Sequence, residues 1–306
     1  MKHIFHFLSA DKQQTVTAYY WSTEKQPRAI VQIVHGMAEF AERYEPFIHF
    51  LNQHGYAVFA HDHLGHGHSV TKNNPYGYFT EIHPIKTVVE DTHFVTLVAK
   101  RTLPQLPVIL LGHSMGSFIA RNTEAAYPND FAGCILMGTS GKRAELTLVM
   151  PAIRYLNTVA AKSVNHLLDQ LTFGYYHLLY PNPQSRNEWL SSDRYEVSRY
   201  DESPKMGFTF TNNGFFTLFA LIMACNNKKW YQSINHEIPY LILSGEEDPV
   251  GQFGKGPYQV EQTMLLTGCV DVAMKLYKNN RHELLHDTAK YQVYDDILCW
   301  LNFHFA

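Results

Sequence analysis

The sequence predicts an α/β protein: a mostly parallel central sheet, helices on both faces, and a helical cap inserted into it. Three observations carry this. Short apolar runs at 30–34, 56–60, 108–111, 134–137, 240–243 and 272–276 have the length and unbroken apolar character of buried strands. Helical patterns fall between many of them, as a parallel sheet with crossover helices requires. From about 141 to 235 the strand signal stops and long apolar helical groups take over. The expected organisation is a core formed by residues 1–140 and 236–306, with a cap over 141–235.

Residues 3–8 and 15–21 are joined closely around Asp11, which predicts an antiparallel hairpin at the sheet edge. This opening stretch is too short and too broken by histidine to read as a signal peptide. Phe40, Tyr44, Phe47, Ile48 and Leu51 recur at helical spacing, and Gly55 is placed to end that helix. Residues 115–127 read as a helix stopped by Pro128. In the cap, 146–155, 167–180 and 215–225 are the apolar helical groups. Val293, Tyr294, Ile297, Leu298 and Leu301 form the stripe of a final helix.

Composition bounds the function. The 306 residues suit one large domain with an insertion, and 45% apolar against 17% charged residues supply an ordinary core. A net charge of −3 lacks the basic footprint of a nucleic-acid binder. Aromatic residues at 14% are enough to line an apolar pocket. Cys134, Cys225, Cys269 and Cys299 are widely spaced, without a CxxC pair, and read as reduced thiols in a cytoplasmic protein. No run approaches the roughly 18 apolar residues of a membrane span. The composition is compatible with transient membrane-surface contact through the cap.

The chemistry centres on Gly112-His113-Ser114-Met115-Gly116, which runs from a strand into a helix. A G-x-S-x-G there makes a sharp turn with the serine at its tip, and the glycines leave room for close backbone packing. The helix that follows directs its positive end at the reacting centre. Ser114 is therefore the expected nucleophile. Neighbouring side chains on a tight turn diverge, so His113 is not the expected base. A serine nucleophile needs backbone N–H groups aimed at the oxyanion. Met115 follows the nucleophile directly, and Met37 follows His35-Gly36 at the end of the third strand; their amides are the expected donors.

Where this motif operates, the acid and then the base come later in the chain. After the strand at 240–243 comes Ser244-Gly245-Glu246-Glu247-Asp248-Pro249-Val250-Gly251, with three competing carboxylates. Asp248, in a turn before Pro249, is preferred, but spacing alone does not decide among them. After the strand at 272–276 comes Asn279-Asn280-Arg281-His282. His282 sits where a general base belongs, and His286 is the reserve candidate.

Two metal motifs compete with this reading. His282-Glu283-Leu284-Leu285-His286 is a literal H-E-x-x-H, the signature of zinc peptidases. A third protein ligand is missing: no glutamate follows Glu283, and Ala289 and Gln292 occupy the glycine and histidine places of the longer form. His61-Asp62-His63-Leu64-Gly65-His66 brushes against H-x-H-x-D-H, but Gly65 replaces the aspartate. A tight glycine-rich loop near the active site is the expected role of this segment. No metal or organic cofactor is expected.

The assembled pattern resembles the monoglyceride lipase and lysophospholipase branch of the α/β-hydrolases, often grouped with serine aminopeptidases of the S33 type. The carrying segments are 35–44, 62–69, 112–116 and 244–251, completed by Arg281-His282. The resemblance implies the α/β-hydrolase fold, Asp248 as the acid and His282 as the base. It also implies a movable helical cap over an acyl-chain pocket. One departure is Phe40, where relatives usually carry histidine. The implied substrate is a single-chain lipid ester of monoacylglycerol or lysophospholipid type. A short-chain carboxylesterase comes next, then a serine peptidase. A non-catalytic ligand-binding relative and a zinc peptidase are the readings from other classes.

Overall fold

The computed structural model describes residues 1–305. β1 (Lys2–Leu8) and β2 (Thr15–Trp21) form the expected edge hairpin, with Lys2 opposite Trp21 and Leu8 opposite Thr15. β2 pairs antiparallel with β4 (Tyr56–His61). The six expected runs all form strands: β3 (Ala29–Val34), β4, β5 (Val108–His113), β6 (Gly133–Met137), β7 (Tyr240–Gly245) and β8 (Val272–Tyr277). From β4 onward every pairing is parallel, and the sheet order is β1-β2-β4-β3-β5-β6-β7-β8.

Because strand side chains alternate, each buried strand serves two cores. Val31, Ile33, Ile109 and Leu111 face α1 (Glu45–Gln53) and α10 (Lys290–Phe305), meeting Phe47, Ile48, Ile297 and Leu301. Ile30, Val34, Leu110 and Leu136 face the opposite layer. That layer contains α2 (Pro84–Thr102), α3 (Met115–Ala126) and α9 (Lys255–Leu266).

Between β6 and β7 the chain makes five helices: α4 (Glu145–Ala160), α5 (His166–Phe173), α6 (Arg194–Glu202), α7 (Asn212–Ala224) and α8 (Lys228–Ser233). α4 packs on α7, and α7 packs on α3 of the core. Side-chain caps begin several of these helices. Asn165 accepts from the Leu168 N–H at 2.9 Å, Thr211 from Gly214 at 3.1 Å and Asn227 from Trp230 at 3.0 Å. Among the described residues no helix is long and apolar enough to cross a membrane.

The structure departs from the sequence reading in four places. The apolar group at 167–180 is split: α5 ends at Phe173, capped by Gly174, and a 3₁₀ turn over Tyr176–Leu179 follows. The helix expected from Phe40 begins at Glu45; a 3₁₀ turn over Ala41–Tyr44 precedes it, and Pro46 sits in its first turn, where a missing N–H costs nothing. β8 is an edge strand and only partly buried. The periodicity gave no helix for α2 because its core face carries Thr87, Asp91, Thr92 and Thr96. Those polar groups find partners inside: Thr96 donates to Gln32 Oε1 at 2.7 Å, and Gln32 donates to the Thr92 carbonyl at 2.8 Å.

Candidate active site

The C-terminal ends of the parallel strands converge on one crevice, where α/β sheets place their ligands. β5 delivers Ser114 with φ 53° and ψ −121°, a left-handed conformation imposed by the turn into α3. Close approach explains both flanking glycines. A Cβ on Gly112 would lie 2.4 Å from the Gly116 carbonyl oxygen, and one on Gly116 would lie 2.0 Å from that of Val34. The Ser114 N–H donates to the Met137 carbonyl at 2.9 Å, fastening the turn to β6.

The loops after β7 and β8 bring Asp248 and His282 to this turn. His282 Nε2 lies 2.8 Å from Ser114 Oγ, and Nδ1 lies 2.9 Å from Asp248 Oδ2. An ionised carboxylate only accepts, so Nδ1 carries the proton and Nε2 accepts from the serine hydroxyl. Asp248 is fully buried, and its other oxygen accepts the Val250 N–H at 2.8 Å. Glu246 is exposed and Glu247 partly so. Of the three carboxylates, only Asp248 bonds the imidazole. Gly138 lies against the ring, where a Cβ would come within 2.8 Å of its Cε1, and Trp189 covers it at 5.2 Å between ring centroids. Sequence reading missed both residues. Trp189 comes from the insertion, where nothing in the chain signals its contact with the core.

Glu39 organises the turn after β3. One oxygen accepts from the Gly36 N–H at 2.5 Å and the Tyr44 hydroxyl at 2.8 Å, and the other from Arg43 at 3.0 Å. His113 Nδ1 sits 3.1 Å from the same carboxylate. Burial disfavours charge on both partners. Their mutual bonding outweighs it, raising His113 and holding Glu39 well below the carboxylate range. His113 is thus turned toward Glu39 and Tyr44 rather than Ser114. Met37 follows this braced turn and lines the same cavity as Ser114 and Met115. As the first residue of α3, Met115 has an N–H without an intrahelical acceptor.

The H-E-x-x-H residues point apart. The stretch contains only a 3₁₀ turn, Leu284–His286, so its histidines do not share a helical face. His282 faces Ser114, Glu283 pairs with Arg43, and His286 Nε2 faces the Arg43 carbonyl at 3.2 Å. Burial, reinforced by the Arg43 charge, pushes His286 down to about 4. The loop after β4 is the tight turn expected. A Cβ on Gly65 would strike the Tyr78 carbonyl oxygen at 2.2 Å, and Asp62 accepts from Ala41 N–H, His68 N–H and the Tyr19 hydroxyl, each at 2.8 Å. Among the described residues, no three His, Cys, Asp or Glu side chains are grouped to hold a metal ion.

Above Ser114 and His282 opens a cavity of about 410 Å³ between the sheet and the insertion. Its walls are mainly apolar, with Leu146 and Ile153 from α4, Leu218 and Ile222 from α7, and Phe118 from α3.

Residues 25–289 match the model of the family described as serine aminopeptidase, S33. The chain is 30% identical over 285 residues to a monoglyceride lipase homolog of Monkeypox virus, covering 92% of each chain. It is 29% identical over 308 residues to the monoglyceride lipase of Homo sapiens, covering 97% of this chain and 89% of that one. A solved structure of a highly thermostable carboxyl esterase from Bacillus coagulans, in complex with glycerol, matches with TM-score 0.94 at 28% identity over 100% of this chain and 99% of that one. The chain belongs to the serine aminopeptidase S33 family of α/β-hydrolases.

Proposed function

We propose that the chain is a serine carboxylic-ester hydrolase acting on single-chain lipid esters of monoacylglycerol type. The observation that carries this is the His282 bridge between Ser114 and Asp248 at the floor of a mainly apolar cavity. Ser114 Oγ attacks the ester carbonyl as His282 Nε2 takes its proton, and Asp248 stabilises the imidazolium. The N–H groups of Met37 and Met115 receive the oxyanion. The C–O bond to the alcohol breaks, and His282 returns the proton to that oxygen. Water then gives a proton to His282 and attacks the acyl-serine; the acyl–Oγ bond breaks, His282 returns the proton to Ser114 Oγ, and the fatty acid leaves.

Residues 141–235 act in this reading as a cap that shelters the acyl chain. Leu148, Leu167, Leu171 and Leu178 on the insertion are exposed, which supports transient contact with a lipid surface from which substrate is taken. The free cysteines support a cytoplasmic setting. The similarity to the Bacillus coagulans carboxyl esterase supports a second reading, a general carboxylesterase.

A fluorophosphonate probe tests the nucleophile. Labelling is expected in the native chain and absent in Ser114→Ala; labelling that survives the substitution overturns the assignment. Turnover of p-nitrophenyl esters and monoacylglycerols of increasing length then decides the substrate. A rate that rises with chain length supports the lipid reading, and one that peaks at acetate or butyrate overturns it.

A further inference from the structure

Arg121 lies two turns into α3, the helix that starts at the nucleophile, and its side chain is buried. Its guanidinium bonds both the segment that leads into the insertion and the end of α7 within it. Nη1 donates to the Ser140 carbonyl at 3.1 Å and reaches Thr139 Oγ1 at 3.5 Å, on the segment by which the chain leaves the sheet. Nη2 donates to the Cys225 carbonyl and, at 3.1 Å, to Asn226 Oδ1, at the end of α7. Trp230 stacks on the guanidinium at 4.3 Å and donates its indole N–H to the Arg121 carbonyl at 2.7 Å.

Among the described residues no carboxylate pairs with Arg121, so a full cation is buried on neutral acceptors alone. Burying an unpaired cation is costly, and an apolar residue would fill the space more cheaply. What the cation supplies is geometry. A planar fork joins two carbonyls on different segments and satisfies the open C-terminus of α7. Ser140 lines the cavity, as do Leu218, Phe219 and Ile222 on α7.

We infer that Arg121 is a positioning residue that fixes the entry to the cap and the end of α7 to the nucleophile helix and thereby sets the shape of the acyl pocket. The inference rests on the reading of the cavity as an acyl site. Arg121 is not among the residues lining that cavity, so it acts through the segments it joins.

The test is Arg121→Met, which keeps length and removes every donor. The native chain is first compared on p-nitrophenyl acetate and p-nitrophenyl myristate. A native enzyme with no preference for myristate overturns the acyl-site reading itself. Given that preference, kcat/KM for myristate is expected to fall about tenfold or more in the variant through KM. Acetate turnover and the fluorophosphonate labelling rate should stay within about twofold, since an apolar loosening of the pocket reaches only the longer substrate. Equal losses on both esters, or no loss on either, overturn the role of Arg121. If Arg121→Met fails to fold, Arg121→Lys and Asn226→Leu carry the same comparison, with the same loss of length selectivity expected and the same outcomes overturning it.

Discussion

Arg43 grips Glu283 through two parallel bonds, Nη1 to Oε1 and Nη2 to Oε2, both 2.6 Å, with neither side chain reaching solvent to more than a few per cent. The glutamate that would act as base in a zinc peptidase is therefore committed to a buried ion pair. Burial opposes its charge, but Arg43 outweighs burial and lowers it below its ordinary value. Removing the Glu283 charge breaks the bidentate pair and leaves buried Arg43 with Glu39 alone at 3.0 Å. Glu283→Gln is expected to cost about 3 kcal/mol in urea unfolding. Ester hydrolysis by the native chain should be unchanged after prolonged chelation. Loss of activity on chelation and its return with zinc would reinstate the metal reading.

The bond from His282 to Asp248 makes a sharper demand than the motif does. If Asp248 holds the tautomer, Asp248→Asn should lower kcat by about 10⁴-fold with the fold intact. Glu246→Gln and Glu247→Gln should stay within about twofold, because neither side chain bonds the imidazole. His282→Ala should abolish turnover, whereas His286→Ala should keep most of its activity per site titrated by the fluorophosphonate. Substantial activity in Asp248→Asn, or its loss in Glu247→Gln, would move the acid to another carboxylate.

Legibility in the sequence followed the kind of constraint involved. The strands that became β3 to β7 are buried on both faces, so their apolar runs are unbroken and easily read. Ser114 directly follows β5 and His282 lies in the short loop after β8, so both were legible from their order behind readable strands. Asp248 was not decided by spacing; only its side-chain direction separates it from Glu247, and that depends on the folded loop. α2 was hidden because buried threonines break its apolar stripe. Trp189 and Arg121 act across the interface between core and insertion. Such contacts join residues far apart in the chain and leave no local periodicity to find.

His35, His61, His63 and His66 are buried together beside the turn after β3, with ring centroids 4.2 Å apart for His35 and His63 and 4.7 Å for His61 and His63. Neither ring nitrogen of His61 has a hydrogen-bond partner among the described residues. Burial pushes His35 and His61 down to about 3 and His66 down to about 4, and it lowers His63 as well. The unfolded chain binds these protons near pH 6.5, so it takes up more of them than the folded chain as pH falls. The stability these groups contribute is complete above about pH 6.5 and is lost on the way down to the folded values. Glu124 opposes the trend, since burial raises it to about 7 and its contribution fades as pH rises. Comparing native and variant chains cancels that term. His61→Phe keeps a ring and removes one titrating group, so the stability lost between pH 8 and pH 5 should shrink by about 2 kcal/mol in urea titrations. At pH 8 the variant should equal or exceed the native chain, because a buried unpartnered polar group is removed. An unchanged pH dependence would mean that His61 finds a partner or water in solution, and the cluster would then contribute nothing to acid sensitivity through this ring.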